Sequence, residues 1–279
     1  MLSKEQQIFY ASELGVVIMD NQRTAISTEA VTLLLAHEVL VLFCDAKNMP
    51  IGLLSSELGY SRKLEVLRLQ LAMNQKIKNR LWQKIVKQKI KNQWDVVMYY
   101  RGLTASEGVY VQDLISNVQE GDITGREAVF ARKYMPICFG GTFTRQRHAT
   151  DAINQSLNYG YAILRAVIRK QLVCHGFEPS LGIHHDSGEN PFNLSDDIIE
   201  PYRPFVDALV IEGWVNVEKN TFEQSDKPTF IQAILTTQCL IEDRVHDVYD
   251  AIELTILSLR RCFDKNSASG LSLPKVIEP

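Results

Sequence analysis

The sequence has no Cys-x-x-Cys pair. Its five cysteines, Cys44, Cys138, Cys174, Cys239 and Cys262, are scattered and odd in number. That spacing excludes a zinc ribbon and a disulfide-framed secreted module, and it reads as reduced, buried thiols. No apolar run reaches the roughly 20 residues that cross a bilayer. Met1 to Gln7 is polar and holds no signal-peptide core. Cytoplasmic residence without membrane association is therefore expected. A polycation signature is missing as well. The chain carries 30 Lys and Arg against 33 Asp and Glu, a formal net charge of -3, so any nucleic-acid surface must be a local patch. There is no internal repeat and no low-complexity segment. What is there is 279 residues, 46% of them apolar, enough for one large or two modest cores.

The first part reads as β-rich. Residues 15–19 and 39–44 are short runs of β formers. Residues 24–27 are strand-like, and Ser27 or Thr28 is placed to cap a short helix over residues 29–36. Residues 45–52, with Asn48, Pro50 and Gly52, read as a turn. Residues 54–61 look like a linker. From Arg62 to Gln93 the apolar period becomes helical. Residues 61–100 hold ten Lys or Arg and two acids. A solvated face and a phosphate-tracking face are both open for this helix. Lys76, Lys84 and Lys87 are candidates for the latter.

Further helices are predicted over 109–120, from Glu127 through Tyr134, over 151–171, and over 205–217. Thr124 precedes Glu127 by three residues, a capping-box signature that competes with a ligand role for Glu127. Arg145 and Arg147 lie in a loop. Asn154, Asn158, Tyr161 and Arg165 form a polar stripe at helical spacing, read either as interhelical hydrogen bonding or as donors beside a phosphate. Residues 231–263 read as one long apolar element with acids, and 266–279 as a tail disordered on its own.

The stretch 181–204 concentrates the chemistry. His184 and His185 sit on a polar loop. Asp196, Asp197 and Glu200 follow after turn residues that let the chain fold back. Imidazole and carboxylates together suit a hard divalent ion. On a helix, Asp197 and Glu200 would share a face, although Pro201 biases Glu200 out of helical geometry. Spacing alone leaves a solvated acidic cluster and a metal site both open.

Several segments in order then resemble one family. They are Glu127-Ala-x-x-Ala-Arg-Lys-Tyr134, Phe143-Thr-Arg145, Asn158-Tyr-Gly-Tyr-Ala-Ile-Leu164, Leu181-Gly-Ile-His-His185 and Asp197-Ile-Ile-Glu-Pro-Tyr-Arg-Pro204, with Phe43-Cys-Asp-x-Lys47 upstream. Together they resemble the CRISPR-associated integrase that inserts new spacers into the CRISPR array, most of all members from systems with a single large effector nuclease. The resemblance implies an α+β chain: an N-terminal β-rich dimerisation domain (1–57), a larger all-α catalytic domain (58–264) and a flexible tail (265–279). The family's first β-hairpin has no counterpart before Gly15, so a shortened first domain is expected.

The resemblance also implies Mg²⁺ or Mn²⁺ held by Glu127, His185 and Glu200, with His184 and Asp197 as secondary candidates. It implies a homodimer that joins a small ferredoxin-like companion subunit in a heterohexamer on double-stranded DNA, both prespacer and repeat. The expected reaction is transesterification, a DNA 3′-hydroxyl attacking a repeat phosphodiester. Arg145, Arg147, Asn158 and Arg165 are candidates to position the DNA backbone. The alternative is a non-catalytic DNA-binding scaffold whose metal cluster is structural or degenerate.

Overall fold

The computed structural model describes residues 7–45, 50–54, 56, 62–102, 105–146, 151–213 and 222–278, in two units that divide between Ser61 and Arg62. In the first unit β1 (Val16–Met19) runs parallel to β2 (Leu40–Cys44), which pairs antiparallel with β3 (Pro50–Leu54). Parallel neighbours need a crossover, and α1 (Thr28–Ala36) supplies it. Ser27 caps that helix, its Oγ accepting from Ala30 N at 3.1 Å. Leu34 packs onto Val39 and Val41, with Leu14, Val17 and Ile26 around them. Two expectations fail here. Residues 24–27 are not a strand. The second half of the expected turn over 45–52 begins β3, because β2 is buried and both its edges need hydrogen-bond partners.

In the second unit the single basic helix expected over 62–93 is two helices, α2 (Lys63–Ala72) and α3 (Gln75–Arg101). Asn74 is extended and caps α3, its Oδ1 accepting from Lys76 N at 2.8 Å. α4 (Ala105–Ser116), α5 (Arg126–Phe139), α7 (Asn193–Ile198) and α8 (Arg203–Ile211) pack on α3, and α6 (Ala152–Cys174) packs on α7 and α8. Asp151 caps α6 by accepting from Asn154 N at 2.9 Å. Gly160 lets α6 sit against α8, since a Cβ there would meet Val206 at 2.5 Å. The helix expected over 205–217 is α8. Residues 214–217, with Trp214, lie outside the described residues.

The long element expected over 231–263 is broken, and the second unit is not all-α. After α9 (Lys227–Thr236) come β4 (Gln238–Ile241), β5 (Arg244–Asp247) and α10 (Val248–Asp264). Glu242 and Asp243 both take positive φ, 48° and 60°, the two-residue geometry that joins a tight hairpin. β4 alternates, with Cys239 and Ile241 inward. The expected flexible tail is likewise part of the fold. Leu271 is buried, and β6 (Lys275–Val276) completes an antiparallel sheet in the order β5-β4-β6. Among the described residues no helix is long and apolar enough to cross a membrane.

Candidate active site

The inward stripe of α3 reads Ile85, Val86, Lys89, Ile90, Gln93, Val96 and Val97, all buried. Two polar side chains thus occupy core positions one turn apart. The Lys89 ammonium donates to a carboxylate oxygen of Glu127 on α5 and to one of Glu200, in the 3-10 turn Glu200–Tyr202 that follows α7. Arg203 Nε donates to the other Glu200 oxygen at 3.0 Å. Burial alone would push the Glu200 carboxyl up. Arg203 and Lys89 outweigh it and hold the group at about 2. Burial also works against charge on Lys89, and Glu200 and Glu127 overcome it, so its pKa is raised.

Glu127 is free to do this because the expected capping box does not form. Gly125 takes φ +62° at the N-cap, with no side-chain cap from its own position. The Asp122 carboxylate accepts from Arg126 N at 2.9 Å and Glu127 N at 3.1 Å instead. The first-turn donors are satisfied from outside the helix, and Glu127 turns inward. Glu200 is fixed from both sides of its turn. Asn92 Nδ2 donates to Pro201 O at 2.8 Å, and the buried Tyr202 hydroxyl donates to Ala251 O at 2.8 Å.

The two histidines are separated by their partners. Asp197, wholly buried, accepts from the backbone N–H of Ile183 (2.5 Å), His184 (3.1 Å) and His185 (3.1 Å) and lies 2.8 Å from His185 Nδ1. That hydrogen bond raises the His185 pKa against the opposing effect of burial. With Nδ1 engaged, Nε2 is the nitrogen left for a ligand or a proton. His184 instead stacks on Trp82. Gly182 is required for the wrap: a Cβ there would stand 2.1 Å from His185 O and 2.9 Å from Asp197 Oδ2. α7 ends at Ile198 and Glu200 opens the 3-10 turn after it; Asp197 bonds the His185 loop, whereas Glu200 bonds Lys89 and Arg203.

A cavity of about 510 Å³ opens over the carboxylates, lined in part by Lys89, Gln93, Glu127, Arg145, Glu200 and Arg203. Its wall includes Tyr161, on whose ring Arg145 and Arg203 sit at 4.6 and 4.7 Å. Beneath, Asp207 accepts from the hydroxyls of Tyr134 (2.9 Å) and Tyr161. Burial pushes Asp207 up to about 6 despite those two bonds.

The polar stripe of α6 tethers the loop before it. Asn154 Oδ1 accepts from Gln146 N at 2.8 Å, Asn158 Nδ2 donates to Gln146 O at 3.1 Å, and Arg145 donates to Asn158 Oδ1 at 2.8 Å. Arg165 pairs with Asp196 at 3.5 Å and lies over the Phe192 ring. Arg147 lies outside the described residues. On the basic helix, Lys76 is exposed and Lys87 half-buried, while Lys84 donates to Ser269 O at 3.0 Å and Arg80 pairs with Glu120.

Glu127 and Glu200 therefore meet, over an ammonium. His185 stands outside the cavity lining, and among the described residues no three His, Cys, Asp or Glu side chains are close enough to share one metal ion. The donor chemistry still fits a hard divalent ion. Two carboxylate oxygens face one cation, and the nearby imidazole has its Nδ1 held by a buried carboxylate, the outer support usual for a metal-ligating histidine. The sequence singled out no role for Gln93, Arg203 or Asp207, and it placed Lys89 only among the charges of the basic helix.

A profile of the family described as "CRISPR associated protein Cas1" matches residues 3–240. The CRISPR-associated endonuclease Cas1 of Neisseria meningitidis serogroup C (strain 8013) is 35% identical over 268 residues, covering 95% of this chain and 86% of that protein. Among solved structures, a casposase bound to integration product superposes with a TM-score of 0.76 at 17% identity, covering 96% of this chain and 84% of that one. A partial Cas6-RT-Cas1–Cas2 complex gives 0.66 at 19% identity, with 95% and 89% covered.

Proposed function

This chain belongs to the Cas1 family, and on that premise we propose that it is a divalent-metal-dependent DNA endonuclease and integrase that inserts spacers into a CRISPR array. One observation carries the reading: carboxylates from two separate segments, Glu127 and Glu200, converge on one cation inside a cavity walled by Arg145 and Arg203. Glu127, His185 and Glu200 are the residues that would hold Mg²⁺ or Mn²⁺. When bound, that ion supplies Lewis acidity toward a phosphoryl oxygen and orients the attacking and leaving oxygens.

The chain's own groups do the rest. Asp197 fixes the ring orientation of His185, so that Nε2 is presented. Arg145 and Arg203, propped on Tyr161, hold a phosphodiester without reading its bases. Asn158 keeps Arg145 in place, and Arg147, Arg165, Lys76, Lys84 and Lys87 extend the backbone contacts by charge. The reaction is attack of a DNA 3′-hydroxyl on a repeat phosphodiester, releasing a new 3′-hydroxyl; run backwards, it nicks branched DNA. The protein works in the cytoplasm as a homodimer through its first unit. It joins a small ferredoxin-like companion subunit, as the solved complex with Cas2 suggests for its relatives.

The test is strand transfer into a repeat-containing plasmid. Glu200→Ala and His185→Ala abolish it while leaving a folded dimer; unchanged integration by either variant overturns the reading. A scaffold without catalysis has one observation in its favour, since Lys89 already neutralises the carboxylate pair. Metal-dependent nicking of a branched substrate by the wild type, lost in Glu200→Ala, decides against it.

A further inference from the structure

We propose that the Lys89 ammonium is a resident counter-cation of the Glu127–Glu200 pair, which a divalent metal must displace in order to bind. The proposal rests on the metal site assigned above and goes beyond it, because it gives the metal a competitor built into the protein.

The charges argue for exchange. Glu127 and Glu200 contribute two negative charges, and Lys89 and Arg203 contribute two positive ones within contact distance. The cluster is neutral as it stands. A buried carboxylate, Glu200, facing a half-buried one, Glu127, without a cation would be repelled and poorly hydrated, so the ammonium lets the pair form before any metal arrives. A divalent ion taking the same oxygens would leave a surplus of two positive charges beside a buried ammonium. The geometry adds to this. Lys89 directs its nitrogen to one oxygen of each carboxylate, so the two acids already share one cation.

The means of exchange are present. Lysine is a point charge on a flexible four-carbon stem, and Lys89 lines the cavity of about 510 Å³, into which it can swing. Gln93 lies one helical turn along the same face and lines the same cavity. Among the described residues its Oε1 is buried with no hydrogen-bond partner. A buried acceptor lacking a donor suits an ammonium that has left its carboxylates. Arg203 stays behind, since its guanidinium is held against both Glu200 and the Tyr161 ring.

The test is Mn²⁺ binding to the intact protein without DNA, read from the paramagnetic resonance signal of free Mn²⁺. Lys89→Met is expected to bind Mn²⁺ at least ~10-fold tighter than wild type, about 1.4 kcal/mol. Its metal-free melting temperature is expected to fall, with Mn²⁺ raising it by more than in wild type. Lys89→Gln removes the charge but keeps donors for both carboxylates, and serves if Lys89→Met does not fold. Glu200→Ala in either background is expected to lose the ion. Binding by the Lys89 variants no tighter than wild type, with wild-type binding still lost in Glu200→Ala, overturns the counter-cation role and leaves the metal site intact. Wild-type binding that survives Glu200→Ala, or no binding by any of these proteins, removes the metal site itself and this inference with it.

Discussion

His184 lies flat on Trp82, the ring centroids 4.2 Å apart and the planes 1° from parallel. Its neighbour His185 meets the same indole edge-on and turns its Nδ1 to Asp197. Adjacent histidines thus divide the work, one packing and one facing chemistry. His184→Ala should keep most strand-transfer activity and lose about 1 kcal/mol of stability, the usual worth of an aromatic pair. His185→Ala should lose the activity and keep the fold. Plasmid integration alongside urea unfolding separates the two, and equal loss of activity in both variants would contradict the division.

Gly182 makes a sharper case for sterics. Its hydrogen faces His185 O and Asp197 Oδ2 at distances no methyl could occupy. Gly182→Ala should cost about 1–3 kcal/mol through overpacking and disable integration by shifting His185. Gly188 is in the same loop with nothing within 4 Å of an added Cβ, so Gly188→Ala should be nearly neutral. Melting temperatures of the two variants make the comparison.

Two buried acids should bend the pH profile of stability in opposite directions. Glu200 is lowered from 4.5 to about 2. Its contribution is complete above pH 4.5 and fades as pH falls toward 2. Asp207 is raised from 3.8 to about 6, so its contribution is complete below pH 3.8 and fades as pH rises toward 6. Urea unfolding of Glu200→Gln should therefore lack the acid-side decline. Asp207→Asn should lack the decline between pH 4 and 6. A slope unchanged from wild type in either variant would count against the assignment.

Gln93 should be a place where function opposes stability. Replacing it with Leu removes a buried oxygen that has no partner among the described residues, and about 1 kcal/mol of added stability is expected. Strand transfer should not improve. Denaturant midpoints and integration yields from one preparation check both halves.

The last residues should matter to the fold. Asn92, wholly buried, donates to Pro274 O at 2.9 Å and accepts from Val276 N at 3.3 Å. Removing residues 271–279 strips β6, takes away the buried Leu271 and removes the Pro274 and Val276 partners of that amide, leaving it only Pro201 O and Gln88 Nε2. Each lost hydrogen bond costs about 1 kcal/mol, and the lost apolar burial adds to it. The truncated chain should melt well below the full one. Equal melting temperatures would mean that β6 contributes nothing.

Much of the helical layout was legible because apolar spacing and caps are local: Ser27 caps α1 as the sequence indicates, and α6 starts within one residue of its expected beginning at 151. So was the meeting of Glu127 with Glu200, though through resemblance and not spacing. What failed was non-local. Asp122 captures the first turn of α5 from outside it, which no Thr-x-x-Glu pattern reveals. The hairpin between α9 and α10 hid because a short alternating run inside an apolar stretch looks like helix until its turn residues take positive φ. Lys89 was counted with the basic face of its helix. Its real signal was position: it falls in register with Ile85 and Val96, where a solvated lysine has no place.

Asn92 also fixes an order of events during synthesis. Its amide grips residue 201 on one side and residues 274 and 276 on the other, the latter 182 and 184 positions further along the chain. Lys89 and the turn bearing Glu200 are both braced through that one side chain. On a ribosome, the helix that organises the cavity emerges well before its bracing is finished, because the segment that completes it follows 182 residues later. A nascent chain would thus carry every reactive side chain yet lack the rigid frame that aligns them until residues 274–276 have emerged.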